Sequence, residues 1–299
     1  VRVASFNLMH GMSPADGQVD TDRLVEAVAA LDADVIALQE VDRHQPRSGG
    51  VDQAARIAAA LGAAAGDWRF AATVVGTPGE KWWPARRDPP PGQPAYGTAL
   101  ISRLPVRSWS RVALPAAPVR SPIAVPGPNG RPRLMLLPDE PRVALVAVLE
   151  PPSGAGPAVT VAGTHLSFVP GWNVTQLRRL TRALERLART PPRRPPRPGA
   201  PPILPVAPGE SPPRLLLGDL NMPAPVARAA SGGRPLARLA TYPSTGGRIQ
   251  FDHVLAWGLA GPARSARAVR AAVSDHLAVV VDLDPAPAPG TGRGARGGA

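Results

Sequence analysis

The sequence predicts an α/β domain, and three observations predict it. Short apolar runs of strand length alternate along the chain with segments of helical period. Several of those runs end on an acid, an amide or a histidine. A hydrophobic fraction of 44% over 299 residues is enough for a sizeable core, and no shift in composition divides the chain into two.

Residues 1–8 read as a strand. "DTDRLVEAVAALDA" then reads as a helix capped by Asp20 or Thr21, because Leu24, Val28 and Leu31 fall on one face. "DVIALQE" reads as a buried strand ending at Glu40. "VDQAARIAAALGA" supplies a second helix, with Ile57 and Leu61 four apart and Gly62 as its stop. Residues 78–94 read as loop. "YGTALIS" and "RVALVAVLE" read as strands around a Pro-rich connection, and "AVTVAGTHL" as another. Residues 173–189 predict an amphipathic helix with Leu177, Leu180, Leu184 and Leu187 inward and arginines outward. "RLLLGDLN", "IQFDHVLAW" and "VSDHLAVVVDL" complete the strands. Residues 190–213 are Pro/Arg-rich and are expected to form a flexible insertion, since proline opposes both helix and sheet. Residues 285–299, rich in Pro, Gly and Arg, are expected to be a disordered tail. The domain is therefore placed at 1–284.

Composition excludes several kinds of chemistry. With no cysteine there is no disulfide, no thiolate zinc site and no thiol nucleophile. No run approaches the ~18 uninterrupted apolar residues of a membrane span. No signal peptide opens the chain, so a cytoplasmic location is favoured, with secretion the alternative if a preceding segment has been removed. The net charge of +12 is weak evidence for nucleic acid. Residues 189–214 hold five arginines against Glu210, and Arg293 and Arg296 lie in the tail, so half of the excess sits in these two stretches.

The positions of the polar residues carry the functional reading. "VRVASF" leads to Asn7, "DVIALQ" to Glu40, "VTVAGT" to His165, "RLLLG" to Asp219 and Asn221, "RIQF" to Asp252, and "RAAV" to Asp275 and His276. Any one of these suits a turn or cap, but six together are a poor fit to that reading, because strand ends are where α/β folds expose chemistry. Hard oxygen ligands such as Glu40, Asp219 and Asp275 suit Mg²⁺. There is no Gly-rich phosphate loop, no Gly-x-Ser-x-Gly elbow and no His-x-x-x-His pair. Water attacking phosphorus with the help of a metal is the chemistry that remains.

"FN" at 6–7, "ALQEVD" at 37–42, "YGTALISR" at 96–103, "GTHLS" at 163–167, "GDLN" at 218–221, "FDHVL" at 251–255 and "SDH" at 274–276 follow one another in a familiar order. In that order they resemble the endonuclease/exonuclease/phosphatase superfamily, the group of deoxyribonuclease I, and "HLSFVPGWN" at 165–173 resembles a bacterial, mainly actinobacterial subgroup of it. The resemblance implies a deoxyribonuclease I-like four-layer sandwich, with two mixed β-sheets packed face to face and helices outside. It also implies a Mg²⁺-dependent phosphoesterase, with Mn²⁺ as the alternative ion. Glu40 resembles the principal metal ligand, with Asn7 beside it and Asp275 near the ion. Asp252 and His276 resemble the Asp–His pair that activates water; Asn221 resembles the residue that holds that water or a phosphate oxygen, and Asp219 one that binds the water or assists the leaving group. Whether Asp219 or His276 takes the proton stays open. His165 resembles the histidine that hydrogen-bonds phosphoryl oxygens, and Tyr96 a phosphate-contacting tyrosine for which a core position competes.

Weaker candidates are His10, Arg43 and His44, which could meet a substrate oxygen or simply be loop residues. Trp172, Asn173 and Gln176 could shape the pocket or cover core. Trp82 and Trp83 could stack on bases, enter a membrane interface or fold over the core edge. The expected partner is a phosphoester substrate, with nucleic acid and a membrane surface both open. The rival reading is a non-catalytic phosphate-binding module with the same fold.

Overall fold

A computed structural model describes residues 1–87, 89–126, 132–150, 158–189 and 212–284. The segments read as insertion and tail lie outside these residues, apart from Pro212 and Pro213. The carbonyl of Pro213 accepts from the Thr160 amide at 3.0 Å, so the ladder has already begun there.

Two large mixed sheets organise the described residues. The first runs β14 (Ser265–Val269), β15 (Ala278–Asp282), β1 (Arg2–Asn7), β2 (Val35–Arg43), β5 (Ala95–Ser102), β3 (Trp68–Gly76) and β4 (Trp82–Pro84). The second runs β12 (Arg234–Pro235), β13 (Asp252–Trp257), β11 (Arg214–Asp219), β10 (Val159–His165), β9 (Arg142–Leu149) and β6 (Val106–Leu114). A separate antiparallel pair joins β7 (Arg120–Pro126) to β8 (Pro132–Pro138).

Alternation along the strands produces the layering, since successive side chains point to opposite faces. Val3, Val35, Ala37 and Leu100 of the first sheet pack against Leu145, Val161, Leu215, Leu217 and Val254 of the second, forming the central core. The outer face of the first sheet, including Phe6, Ile36 and Leu38, is covered by α1 (Thr21–Ala29) and α2 (Gln53–Ala60) through Leu24, Val28 and Ile57. The outer face of the second is covered by α3 (Trp172–Arg189) and α4 (Ala224–Ser231), with Leu177, Leu180 and Leu184 inward. This is the expected four-layer sandwich. The sheets approach closely at Gly163, where a Cβ would lie 2.9 Å from that of Ala37, so a residue without a side chain fits best.

Several readings of single elements are corrected. Trp68–Gly76 is a strand, β3, that the alternation of "WRFAATVVG" did not signal, because both of its faces are mostly buried. Trp82–Pro84, read as loop, pairs with β3 as a short edge strand. The Pro-rich connection contains β6 and the β7–β8 pair, and α4 follows "GDLN" in a stretch to which no element was assigned. Strand β2 does not end at Glu40 but continues to Arg43 through a register shift between Leu38 and Val41. The two helix signals near the start hold: Asp20 accepts from the amides of Asp22 and Arg23, and Gly62 follows α2 at φ +68°.

Candidate active site

The site forms where six strand ends meet on one rim, and strand direction explains how. Parallel β1 and β2, and parallel β10 and β11, bring Asn7, Glu40, His165 and Asp219 to the same edge. Asp252 and His276 do not end strands, as the sequence reading had them. Asp252 opens β13, and His276 precedes β15. Each of those strands runs antiparallel to its neighbour, so its beginning lies beside that neighbour's end: Asp252 sits opposite Asp219, and β15 pairs Val279 with Ser5 of β1.

Asp219 is the hub and is 1% exposed. Its Oδ2 accepts from Asn7 Nδ2 at 3.1 Å and lies 3.6 Å from His165 Nε2 and 3.8 Å from His276 Nε2. Its Oδ1 accepts from the Asn221 amide at 2.9 Å, which holds Asn221 at φ +50°. Asn7 Nδ2 also donates to Glu40 Oε1 at 3.1 Å, while its Oδ1 accepts from the Met9 amide. Asn7 therefore ties Glu40 to Asp219. Glu40 stands at φ +56° within the irregular stretch of β2, which turns its partly exposed carboxylate into the site.

The His276–Asp252 pair is formed, with Nδ1 2.8 Å from Asp252 Oδ2 and both side chains under a tenth exposed. The loop before it is braced. Ser274 (φ +74°) donates to the Asn7 carbonyl and its hydroxyl accepts from the His276 amide. Tyr242, unmarked in the sequence, lies against the His276 ring with centroids 4.9 Å apart. Only the turn composition of "TYPSTGG" was legible there.

The electrostatics follow from burying like charges together. Burial, then the Asp252 charge, pushes Asp219 up to about 7. Burial pulls His276 down, but Asp252, Asp219 and Asp275 outweigh it and raise the imidazole to about 10. Burial raises Glu40, and the charge of Asp275 adds to that. Burial, then Arg142 and His276, holds His165 well below the usual histidine range, so that ring is neutral.

Tyr96 is buried on β5, with the Arg47 guanidinium 5.7 Å from its ring centroid. Arg47 is held by two hydrogen bonds to buried Asp42. His10 lies near Arg47, and burial with that charge lowers it to about 4. Arg43 pairs with Asp52 and His44 Nδ1 contacts the Gly50 carbonyl, so both serve the β2–α2 connection. His253 points away from the site and contacts the Met222 carbonyl. Trp172, Asn173 and Gln176 brace the site. Asn173 Nδ2 donates to the Asn221 carbonyl at 2.8 Å, Gln176 accepts from the Ser167 amide, and Gln176 and Trp172 both donate to the Pro115 carbonyl. Trp82 and Trp83 lie on the edge strand, with Trp83 46% exposed.

A divalent cation fits this donor set. Glu40, Asp219, Asp252 and Asp275 gather hard oxygens around His276, and buried Asp252 Oδ1 has no hydrogen-bond partner among the described residues. One ligand atom each from Asp219, Asp252 and His276 falls within 4.8 Å of the others.

The fold defines a deoxyribonuclease I-like protein, and its rim is rich in acids. The family model described as Endonuclease/Exonuclease/phosphatase family matches residues 4–276, and the chain belongs to that family. Members of the family are hydrolases of phosphoesters and generally use divalent metal ions. Among solved structures, an endonuclease/exonuclease/phosphatase from Beutenbergia cavernae DSM 12333 is 26% identical, with a TM-score of 0.57 over 97% of this chain and 72% of that one. The human Nocturnin catalytic domain with bound sulfate is 17% identical (TM-score 0.57; 95% of this chain, 94% of that one). A Bacteroides thetaiotaomicron mannosyl-6-phosphatase is 14% identical (TM-score 0.53; 95% and 99%). The comparison with curated proteins gives no match. Among the described residues no helix is long and apolar enough to cross a membrane.

Proposed function

We propose that this protein is a Mg²⁺-dependent phosphoesterase that hydrolyses phosphodiesters. The observation that carries the reading is the Asp219 carboxylate, set between His165, the His276–Asp252 pair and the Asn7–Glu40 bridge. Glu40 and Asp275, with Asn7 orienting Glu40, would hold Mg²⁺, or Mn²⁺ in its place. When bound, the ion supplies Lewis-acid polarisation of a phosphoryl oxygen.

The chain's own residues do the rest. Asp252 accepts from His276 Nδ1, which leaves Nε2 as the atom that takes a proton from the attacking water. Asn221 and Asp219 hold that water in line. Its oxygen bonds to phosphorus as the ester P–O bond breaks, and the leaving oxygen departs with the electron pair. His276 loses part of the field that raises it once a cation neutralises its acidic neighbours. His165 and Tyr96 donate to the equatorial oxygens. The substrate is a nucleic acid or a phospholipid or inositol phosphate headgroup. A site of this shape also suits a phosphomonoester, the substrate class in the name of the mannosyl-6-phosphatase neighbour.

Nicking of supercoiled plasmid and cleavage of bis(p-nitrophenyl) phosphate, each with Mg²⁺, with EDTA and with His276→Ala, test this reading. Turnover that requires both the ion and His276 is expected, and plasmid nicking assigns nucleic acid. Mg²⁺ binding without turnover on any phosphoester would favour the non-catalytic module, and unchanged turnover in folded His276→Ala would end the mechanism.

A further inference from the structure

His165 has a hydrogen-bond donor against each of its ring nitrogens. Arg142 Nη1 lies 3.3 Å from Nδ1, and Asn221 Nδ2 lies 3.1 Å from Nε2. A neutral imidazole carries one N–H and one lone pair, so it can accept only one of these two bonds. The charges of the neighbours decide which. An arginine always keeps its charge and only donates, so a proton on Nδ1 would point at a cation. The Asn221 amide is neutral, and its Nδ2 has another acceptor, the Leu166 carbonyl at 3.0 Å. A proton on Nε2 also faces Asp219 Oδ2 at 3.6 Å, a favourable neighbour. Nδ1 therefore accepts from Arg142, and the ring proton sits on Nε2, facing the centre of the site.

Arg142 is placed to impose this. It opens β9 with its side chain 6% exposed, and Asp139 Oδ1 lies 3.9 Å from Nη2. The other oxygen of Asp139 accepts from the Ala117 amide at 2.7 Å, which anchors that carboxylate. Arg142 Nε has no partner among the described residues, so the bond to His165 Nδ1 is one of few interactions that position the guanidinium.

We propose that Arg142 is a positioning residue that holds His165 in the Nε2–H tautomer, so that the Nε2 proton faces the site as a hydrogen-bond donor to a phosphoryl oxygen. This rests on the phosphoesterase reading for its purpose, though the tautomer itself is independent of it. It excludes one role for His165. To give up a proton as a general acid the ring must first carry protons on both nitrogens, and the Nδ1 proton would have to face the Arg142 guanidinium.

Long-range ¹H–¹⁵N correlation spectra of uniformly labelled protein, with His165→Gln for assignment, read the tautomer directly. The expected spectrum has a pyridine-type Nδ1 and a pyrrole-type Nε2 that persist through the neutral range. In Arg142→Met the ring should shift toward the Nδ1–H form, now accepting from Asn221 Nδ2, whereas Arg142→Lys should keep the wild-type pattern. Where the lone Asp139 carboxylate unfolds Arg142→Met, the pair Asp139→Asn/Arg142→Met removes both charges. On bis(p-nitrophenyl) phosphate, kcat should fall about ten- to a hundredfold in Arg142→Met with KM changed less, and recover in Arg142→Lys. A wild-type Nδ1–H tautomer, or an unchanged tautomer in Arg142→Met, would overturn the proposal. Wild-type protein with the Nε2–H tautomer and no turnover on any phosphoester would instead count against the proposed function.

Discussion

Replacing Asp252 by Asn tests the centre of the proposed chemistry, because it removes a charge while keeping the shape. Asp252 Oδ2 lies 2.8 Å from His276 Nδ1, with the carboxylate fully buried. Two outcomes differ in size. If the Asn oxygen takes the place of Oδ2, the tautomer survives and a charge-assisted hydrogen bond becomes a neutral one. That difference is about 1–2 kcal/mol, or roughly five- to thirtyfold in rate. If the Asn amide group faces Nδ1 instead, the proton moves to Nε2 and the base is lost, which costs about 10²–10⁴-fold. Buried Asp252 Oδ1 has no hydrogen-bond partner among the described residues to fix the amide's orientation, so the larger loss is expected. The assay is kcat/KM on bis(p-nitrophenyl) phosphate with Mg²⁺, beside a thermal melt. The same variant should lower the His276 pKa from about 10 in metal-free protein. A histidine raised on folding stabilises the fold fully below about pH 6.5 and loses that contribution as pH rises through its folded value. The stability gap between wild type and variant should therefore be widest below about pH 6.5 and close toward pH 10. A folded variant within threefold of wild-type kcat/KM would refute the assigned pair.

Three further outcomes are expected. Asn173→Ala removes the donor that holds the Asn221 carbonyl at 2.8 Å, so kcat/KM should drop about tenfold with a stability loss of about 1–3 kcal/mol, read by urea denaturation. Gly163→Val forces a side chain to within 2.9 Å of Ala37 Cβ, and overpacking between the sheets there should cost about 1–3 kcal/mol, visible in the melting temperature. Asp282→Asn acts at the opposite end of the strands. Hydrogen bonds from Arg2 and then Ser265 hold Asp282 down at about 2, so its stabilisation is present above the ordinary carboxylate range and lost as pH falls through that value. The variant should lose about 1 kcal/mol near neutrality, converge with wild type in strong acid, and keep its turnover.

The legible parts of the fold were those whose period is local. Leu24, Val28 and Leu31, and Leu177, Leu180 and Leu184, recur at helical spacing because each helix covers a sheet with one face only. β3 escaped notice because its neighbours, β5 and β4 on either side and layers above and below, bury most of its residues and erase the alternation. The irregularity that turns Glu40 into the site was hidden in a similar way, since β2 stays mostly buried on both sides of it.

The sequence by itself determined which residues could do chemistry. The apolar runs that end near Asn7, Glu40, His165 and Asp219, and the "FDHVL" and "SDH" segments, marked the acids, amides and histidines through local spacing alone. Tertiary structure decided which of these residues face one another, because that depends on strand direction and on contacts between positions far apart in the chain. Antiparallel pairing brought the starts of β13 and β15 to the rim where β11 and β1 end. The same assembly set Tyr242 against His276 and Arg142 against His165, two contacts that no local pattern encodes.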